Sequence, residues 1–415
     1  YENSASIEDA GIILVNTCSI RENAEQRVFG RLDRFLQEKK RRPVTVGVLG
    51  CMAAHLKEKL LEHPAVDLVA GPDSYRRLPQ MLGMIDSAHS SQVDVLLSKE
   101  ETYADIIPEK SICDGITAFI SIMRGCDNMC TYCIVPYVRG RERSRDPYTI
   151  IEEAKKLYLK GFREVNLLGQ NVDSYLWKSS DGNLTFADLL KMTAQIAPDL
   201  RVRFSTSHPK DMSDEVISVM ASFPNICKHI HLPVQSGSDR MLSKMNRKYD
   251  RERYMDRIYK IREILPEATI TTDIIAGFCS ETEEEHGMTM SLMEEVRFDS
   301  AFMFQYSERP GTLASRHFPD DVPPAVKTRR LNEIIELQNE ISLERNRRHI
   351  GQSFVILVEG TSKRNKAELY GRTSGNKVCI FPAGDFKVGD YVELTVTGCT
   401  SATLMCANAH KVNHD

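Results

Sequence analysis

Between residues 116 and 306, short apolar runs alternate with longer helical patterns about six times. This alternation constrains the fold more than any other feature, because strands that return through helices must pair in parallel. The candidate strands start near Ala118, Glu164, Arg201, Lys228, Ala268 and Asp299. Helical patterns lie between them, for example over 149–160, 214–221, 251–264 and 282–296. Six such units predict a βα-barrel, full or partial. Ligands of parallel α/β folds sit at the carboxyl ends of the strands, so polar motifs at those ends carry the most weight.

The flanks have different patterns. Residues 1–86 alternate in a shorter form, with strand runs at 11–16, 44–49 and 66–70 and helical patterns near 21–39, 53–62 and 75–85. They predict a flavodoxin-like or Rossmann-like parallel domain whose first strand and helix are expected upstream of Tyr1. Residues 87–115 lack a clear period and read as a linker. Pro323 and Pro324 open a helix that runs to about residue 348. After Gly351 the pattern turns to period two over 353–359, 368–373, 377–381, 391–396 and 402–406. Five short strands in so little chain suggest a small closed antiparallel β-barrel. The fold class is therefore α/β: an N-terminal parallel domain (1–86), a linker (87–115), a central partial βα-barrel (116–323), a connecting helix (324–350) and a C-terminal small β-barrel (351–415). Apolar residues at 41% and charged residues at 27% exclude disorder as the main theme. No apolar run approaches the roughly 18 residues of a membrane span. A net charge of −4 means that any nucleic-acid site is a local patch.

Eleven cysteines, an odd number, in a chain this long with no visible secretory signal read as cytosolic thiols, several of them metal ligands. Cys126, Cys130 and Cys133 form C-x3-C-x2-C directly after the first barrel strand. Three thiolates on a tight loop can hold three irons of a cubane cluster and leave the fourth open to a small molecule. Structural zinc wants four ligands, and no fourth Cys or His lies nearby. Cys18 and Cys51 each follow a strand run of the N-terminal region, so both fall at carboxyl ends of neighbouring strands. Singly, each is more often a small buried hydrophobe; their matched placement makes a shared metal site an equal alternative. Cys113, Cys227, Cys279, Cys379, Cys399 and Cys406 have no metal spacing and are assigned to packing.

The three-cysteine loop, with Tyr132 before its last thiol, closely resembles that of the radical S-adenosylmethionine enzymes. That resemblance implies that the open iron chelates the amino and carboxylate groups of S-adenosylmethionine. One electron then cleaves the C–S bond, and a 5′-deoxyadenosyl radical abstracts hydrogen from unactivated carbon. Asn16-Thr17-Cys18-Ser19-Ile20-Arg21-Glu22, Gly50-Cys51, Met123-Arg124-Gly125-Cys126, residues 136–145 and Tyr306-Ser307-Glu308-Arg309-Pro310-Gly311-Thr312 together resemble the methylthiotransferases, in family order and over essentially the whole chain. The family implies a second, auxiliary 4Fe–4S cluster on three N-terminal cysteines. Cys18 and Cys51 match two of them, and the third is expected upstream. It also implies a C-terminal TRAM barrel, a protein electron donor and a cytoplasmic setting. Thr206-Ser207-His208-Pro209 and residues 306–312 resemble the type that adds methylthio to carbon 2 of N6-isopentenyladenosine beside the tRNA anticodon. Other types act on threonylcarbamoyl-adenosine in tRNA or on a ribosomal-protein aspartate. An RNA-binding protein with a structural or redox-sensing cluster is the alternative from another class; a structural cluster usually has four protein ligands.

Polar groups at the predicted strand ends are candidates to hold the cofactor: Gly169, Gln170 and Asn171 on the second strand, Ser207 and His208 on the third, Gln235 and Ser236 on the fourth, Asp273 on the fifth. Taken alone, each is better explained by a strand-end turn or cap. Arg139, Arg141, Arg143 and Arg145 alternate, so in an extended segment they share one side and suit tRNA phosphates or a cofactor carboxylate. Lys363, Arg364, Lys366, Arg372 and Lys377 crowd the small barrel and suit RNA as well, although acidic residues are nearly as numerous there.

Overall fold

The computed structural model describes residues 1–18, 22–88, 90–106, 115–180 and 182–412. Ser19, Ile20, Arg21 and Cys113 lie outside the described residues. The chain forms two compact units: Tyr1–Glu101 with Arg124–Arg143 and Ser307–His317, and Thr102–Met123 with Ser144–Tyr306 and Phe318–Asp415.

The first unit carries a parallel sheet in the order β1 (Ile12–Thr17), β2 (Thr45–Gly50), β3 (Leu68–Ala70), β4 (Gln92–Asp94). Helices α1 (Glu22–Arg41), α2 (Cys51–Leu56) and α3 (Leu78–Ala88) separate the strands, and the 3-10 turn Lys57–Glu62 extends α2. Leu32 and Phe35 of α1 pack on Val46, Val48 and Val69 of the sheet with Met52 and Leu60. β4 falls within the stretch taken from sequence as linker. Three half-buried residues at a sheet edge are too short and too polar to show a period. A fourth helix, α4 (Val135–Arg139), follows the three-cysteine loop.

The second unit contains the six expected parallel strands: β5 (Thr117–Ser121), β6 (Glu164–Leu168), β7 (Arg201–Ser205), β8 (His229–His231), β9 (Thr269–Ala276) and β10 (Ser300–Gln305). They pair as β5-β6-β7 and β8-β9-β10, and the parallel bridge Val202↔Ile226 ties β7 to the segment that leads into β8. The arc ends on β5 and β10, so the barrel is partial. Helices α5 (Pro147–Leu159), α6 (Phe186–Ala194), α7 (Asp214–Ser222), α8 (Asp239–Lys244), α9 (Arg251–Ile264) and α10 (Glu283–Val296) surround it. Their starts are written in the sequence: Thr185 with Asp188 and Thr282 with Glu285 form capping boxes, and Ser213, Ser238 and Asp250 cap α7, α8 and α9. Ile150, Leu189, Ile217, Ile258 and Leu292 close over Ile120, Leu167, Val202, Ile230 and Ile274. A hairpin, Leu176–Ser179 with Gly182–Thr185, was not foreseen.

After α11 (Pro324–Arg347), five strands close a small barrel: β11 (Ser353–Thr361), β12 (Glu368–Arg372), β13 (Val378–Pro382), β14 (Tyr391–Cys399) and β15 (Thr403–Lys411). The expected antiparallel pairing fails at one place, because β13 and β15 run parallel. The reason is parity: each antiparallel pairing reverses direction, and a closed ring of five strands cannot hold five reversals. The turn after β12 docks on the amino ends of the βα-barrel strands. Arg203 donates to the carbonyls of Thr373 (2.7 Å) and Ser374 (3.1 Å), and Thr269 donates to that of Gly375 at 2.6 Å.

Candidate active site

In the first unit, the cysteine loop is shaped by its backbone. Gly125 takes φ +78°, and a Cβ there would stand 1.9 Å from the carbonyl oxygen of Arg141, so only glycine permits this approach. The N–H of Cys126 donates to Gly140 O at 3.1 Å, and that of Cys133 to Cys130 O at 3.0 Å. Asp127 N–H donates to Glu142 Oε1 while Glu142 N–H donates to Asp127 Oδ1, each at 3.1 Å. Cys130 is buried, and Cys126, Cys133 and Tyr132 are half-buried. Burial, reinforced by Glu142, pushes the Cys126 thiol up to about 11.

Cys18 and Cys51 directly follow Thr17 and Gly50, which are register partners of β1 and β2. The matched strand-end placement expected from sequence is therefore present. Cys18 is exposed and Cys51 buried. Gly50 takes φ +92°, and a Cβ there would meet Asn16 Oδ1 and Thr17 O, each at 2.6 Å; this turn admits Cys51 as the first residue of α2. Among the described residues, no three His, Cys, Asp or Glu side chains close to metal-holding distance. The donor chemistry still fits an iron–sulfur cluster. Three soft thiols share one backbone-braced loop, and a thiol that burial keeps neutral gives up its proton on binding iron.

The four arginines do not form one side of an extended segment, because the chain turns through α4 and back. Arg139, the last residue of α4, donates from Nε to Cys51 Sγ at 3.2 Å. Arg143 is buried and ion-paired to buried Asp73 at 2.9 Å. Within the second unit, Arg145 is buried against Glu153 at 2.6 Å. Arg141 alone is exposed, 2.9 Å from Asp127. The alternation held charges that the fold spends on itself. Likewise Arg372 is paired with Glu359 and Glu164, and Lys377 with Asp299, whereas Lys363, Arg364 and Lys366 are exposed.

In the second unit, the ends of β6 and β7 converge. Val172 N–H donates to Thr206 O at 3.0 Å, Asn171 donates to Asp211 Oδ2 at 2.7 Å, and His208 N–H donates to Asp173 Oδ2 at 3.2 Å. Lys210 N–H donates to His208 Nδ1 at 3.2 Å, which assigns the ring proton to Nε2. Burial lowers the His208 imidazole to about 2, so it is neutral. Gln170 Oε1, Asn171 Oδ1 and His208 Nε2 are buried without a hydrogen-bond partner among the described residues. Orphaned polar atoms of this kind are what a polar cofactor satisfies. Ser207 is buried beside them, and a Cβ on Gly169 would stand 2.6 Å from Met123 Cγ. Asp173 was not foreseen. Burial pushes its carboxyl up to about 7, against the Ser207 side chain and the His208 N–H that favour its charge. Its signal was its place two residues past the Gly-Gln-Asn strand end.

The remaining predicted residues gather at β8 and β9. Asp273 Oδ1 lies 3.3 Å from His231 Nε2. Gln235, at φ +75°, donates its N–H to Asp273 O and accepts from Ile275 N–H, so its backbone joins β9. Ser236 is fully buried, 3.4 Å from Thr289 Oγ1, and serves the turn before α8.

Three family profiles match: the Radical SAM superfamily over residues 120–293, the uncharacterized protein family UPF0004 over 1–71, and the TRAM domain over 347–405. The tRNA-2-methylthio-N(6)-dimethylallyladenosine synthase of Amoebophilus asiaticus is 54% identical, covering 98% of this chain and 86% of the relative. Its namesake in Phocaeicola vulgatus is 53% identical, with 97% and 89% covered. Among solved structures, the radical S-adenosylmethionine methyltransferase TsrM of Kitasatospora setae superposes with a TM-score of 0.55 at 14% identity, covering 71% of this chain and 62% of that one. That likeness shows the fold alone. The superfamily brings a 4Fe–4S cluster and S-adenosylmethionine, and the TRAM domain with tRNA-modifying relatives implies tRNA as partner. By its three domains and its identity across nearly the whole length, the chain belongs to the radical S-adenosylmethionine methylthiotransferases, in the group of the tRNA-2-methylthio-N(6)-dimethylallyladenosine synthases.

Proposed function

We propose that this chain adds a methylthio group to carbon 2 of N6-isopentenyladenosine beside the tRNA anticodon, using one cluster on Cys126, Cys130 and Cys133 and a second that includes Cys18 and Cys51. The observation that carries the reading is that all five cysteines fall within one compact unit of the fold, which keeps sulfur supply and radical generation on a common scaffold. When bound, the first cluster and S-adenosylmethionine supply hydrogen abstraction from a carbon that has no easy polar route. The residues of the chain bind and orient. Toward a bound S-adenosylmethionine, His208 Nε2–H would donate and Gln170 Oε1 and Asn171 Oδ1 would accept, at atoms that the fold buries away from water. Gly169 lets the backbone pass close to Met123, and Asp173 holds the loop of His208 through its N–H. Gln235 and Asp273 shape the neighbouring strand ends.

The domain division keeps 116–323, 324–350 and 351–415, while the first domain runs past residue 86 to take in β4 (Gln92–Asp94) and shortens the linker; exposed Lys363, Arg364 and Lys366 serve as tRNA contacts. A protein electron donor reduces the clusters, and a tRNA substrate sets the enzyme in the cytoplasm. Among the described residues, no helix is long and apolar enough to cross a membrane. The reading is tested by mass spectrometry of tRNA nucleosides with two variants. Cys130→Ala removes about four irons and all 5′-deoxyadenosine formation. Cys18→Ala keeps 5′-deoxyadenosine formation and abolishes methylthiolation. Full methylthiolation by Cys18→Ala would refute the role of the second cluster.

A further inference from the structure

We propose that Arg139 is a positioning residue for the second cluster: its guanidinium hydrogen-bonds the Cys51 sulfur and raises that cluster's reduction potential. The inference rests on the reading that Cys51 is a ligand there.

The geometry is local and specific. Arg139 Nε stands 3.2 Å from Cys51 Sγ, and Cys51 is buried. Val138, from the helix that ends in Arg139, and Ile134, which caps its start, pack against Cys51 and Ala54. The arginine is therefore presented by a packed helix face. Its backbone is held too: Arg143, itself buried on Asp73, donates to the Arg139 carbonyl at 2.9 Å. The next residue, Gly140, accepts the N–H of Cys126 at 3.1 Å. Two consecutive residues thus touch one ligand of each cluster, Arg139 by its side chain and Gly140 by its carbonyl.

The chemistry of this contact has a definite sign. Reduction adds an electron to the cluster and to its thiolates. A cationic donor on a ligating sulfur stabilises that added charge, so the reduced form is favoured and the potential rises. Arginine suits the role because it stays charged in a half-buried setting and aims its donors from a rigid plane. The same residue looked from sequence like a phosphate contact; a guanidinium committed to a buried thiol is not free for RNA.

The test uses full-length protein, anaerobically reconstituted, in a background with Cys126, Cys130 and Cys133 all changed to Ala, so that electron paramagnetic resonance sees the second cluster alone. Arg139→Gln is expected to keep its iron, shift the midpoint to more negative potential and alter the reduced spectrum. Arg139→Lys, which keeps the charge, is expected to restore part of the shift. In the otherwise unchanged enzyme, Arg139→Gln is expected to leave the salt dependence of tRNA binding as it was. An unshifted midpoint with iron retained overturns the proposal, as does a shallower salt slope, which marks a phosphate contact. Iron lost from both Gln and Lys variants assigns Arg139 to packing and also overturns it. If the triple-alanine protein holds no iron even with Arg139 intact, the second-cluster reading fails first and the proposal with it.

Discussion

The unit that carries the cysteines and the unit that carries the barrels both contain arginine-rich stretches, and they use them for different ends. In the first, Arg139, Arg143 and Arg124 turn inward onto Cys51 and Asp73 and brace the loop of thiols. In the second, Arg201, Arg203 and Arg372 gather around the fully buried Glu164 and fasten the small barrel to the strand amino ends. In the small barrel a group of three, Lys363, Arg364 and Lys366, is left in solvent. A run of basic residues is therefore no evidence of an RNA contact until its carboxylates have been counted. A buried cation of this kind relies on the acid beside it, and removing that acid leaves its charge uncompensated.

The sharpest way to break this comparison is to remove the acid on one side. Asp73 is almost wholly buried and holds Arg143 at 2.9 Å and Arg124 at 3.3 Å. Asp73→Ala takes the carboxylate from two guanidiniums, and we expect a loss of about 5 kcal/mol, the upper end for a broken buried pair. Denaturant unfolding measures it, and iron content reports whether the thiol loop survives. A loss under about 1 kcal/mol would show that water reaches Arg143 and that the inward-turned arginines are ordinary surface charges.

A second expectation concerns the polar end of the barrel. The Asp173 carboxyl sits at about 7, above its ordinary 3.8, because burial disfavours its charge. The fold therefore binds a proton that the unfolded chain releases. The resulting stability is complete below about pH 4 and is lost as pH rises through 7, roughly 4 kcal/mol at the limit. His208 works in the opposite sense: its imidazole is held neutral far below 6.5, so its contribution is present above that value and lost on acidification. Comparing Tm of Asp173→Asn and the parent at pH 5 and pH 8 isolates the aspartate. The variant gains at pH 8 relative to pH 5; equal differences at both values would place Asp173 in contact with solvent.

How much of this was legible in the sequence follows from the range of the forces involved. The six barrel strands start within one residue of where the periodicity put them, because a strand–helix alternation is a local pattern repeated many times. The thiol loop was legible because chemistry fixes its spacing within one turn of chain. β4 was missed, since three edge residues carry no period. The parallel closure of β13 on β15 follows from parity, which no window of sequence contains. Asp173 and the spending of Arg139, Arg143 and Arg145 were hidden for one reason. Their partners, Ser207, Cys51, Asp73 and Glu153, lie from 8 to 88 positions away, and burial decides each pairing.

The smallest expected effect tests the exposed side of the comparison. Lys363, Arg364 and Lys366 stand in solvent between β11 and β12, while Arg372 in the same small barrel donates to Glu359 at 2.7 Å. Changing the three exposed residues to Ala removes up to three phosphate contacts, each of which releases counterion when made. We expect tRNA affinity to fall about tenfold, near 1.4 kcal/mol, and the slope of log affinity against log salt to become shallower by about 2. Thermal stability is expected to stay within about 0.5 kcal/mol, as for surface substitutions elsewhere. Arg372→Ala should behave the other way round: Glu164 and Glu359 lose a partner, so the small barrel loosens, while the salt slope at low temperature holds. Filter binding at two salt concentrations, with melting curves for both proteins, separates the two. If the triple variant kept the parental slope, the exposed lysine–arginine loop would not touch tRNA, and Arg141, the one exposed arginine of the 139–145 segment, would be the next residue to change.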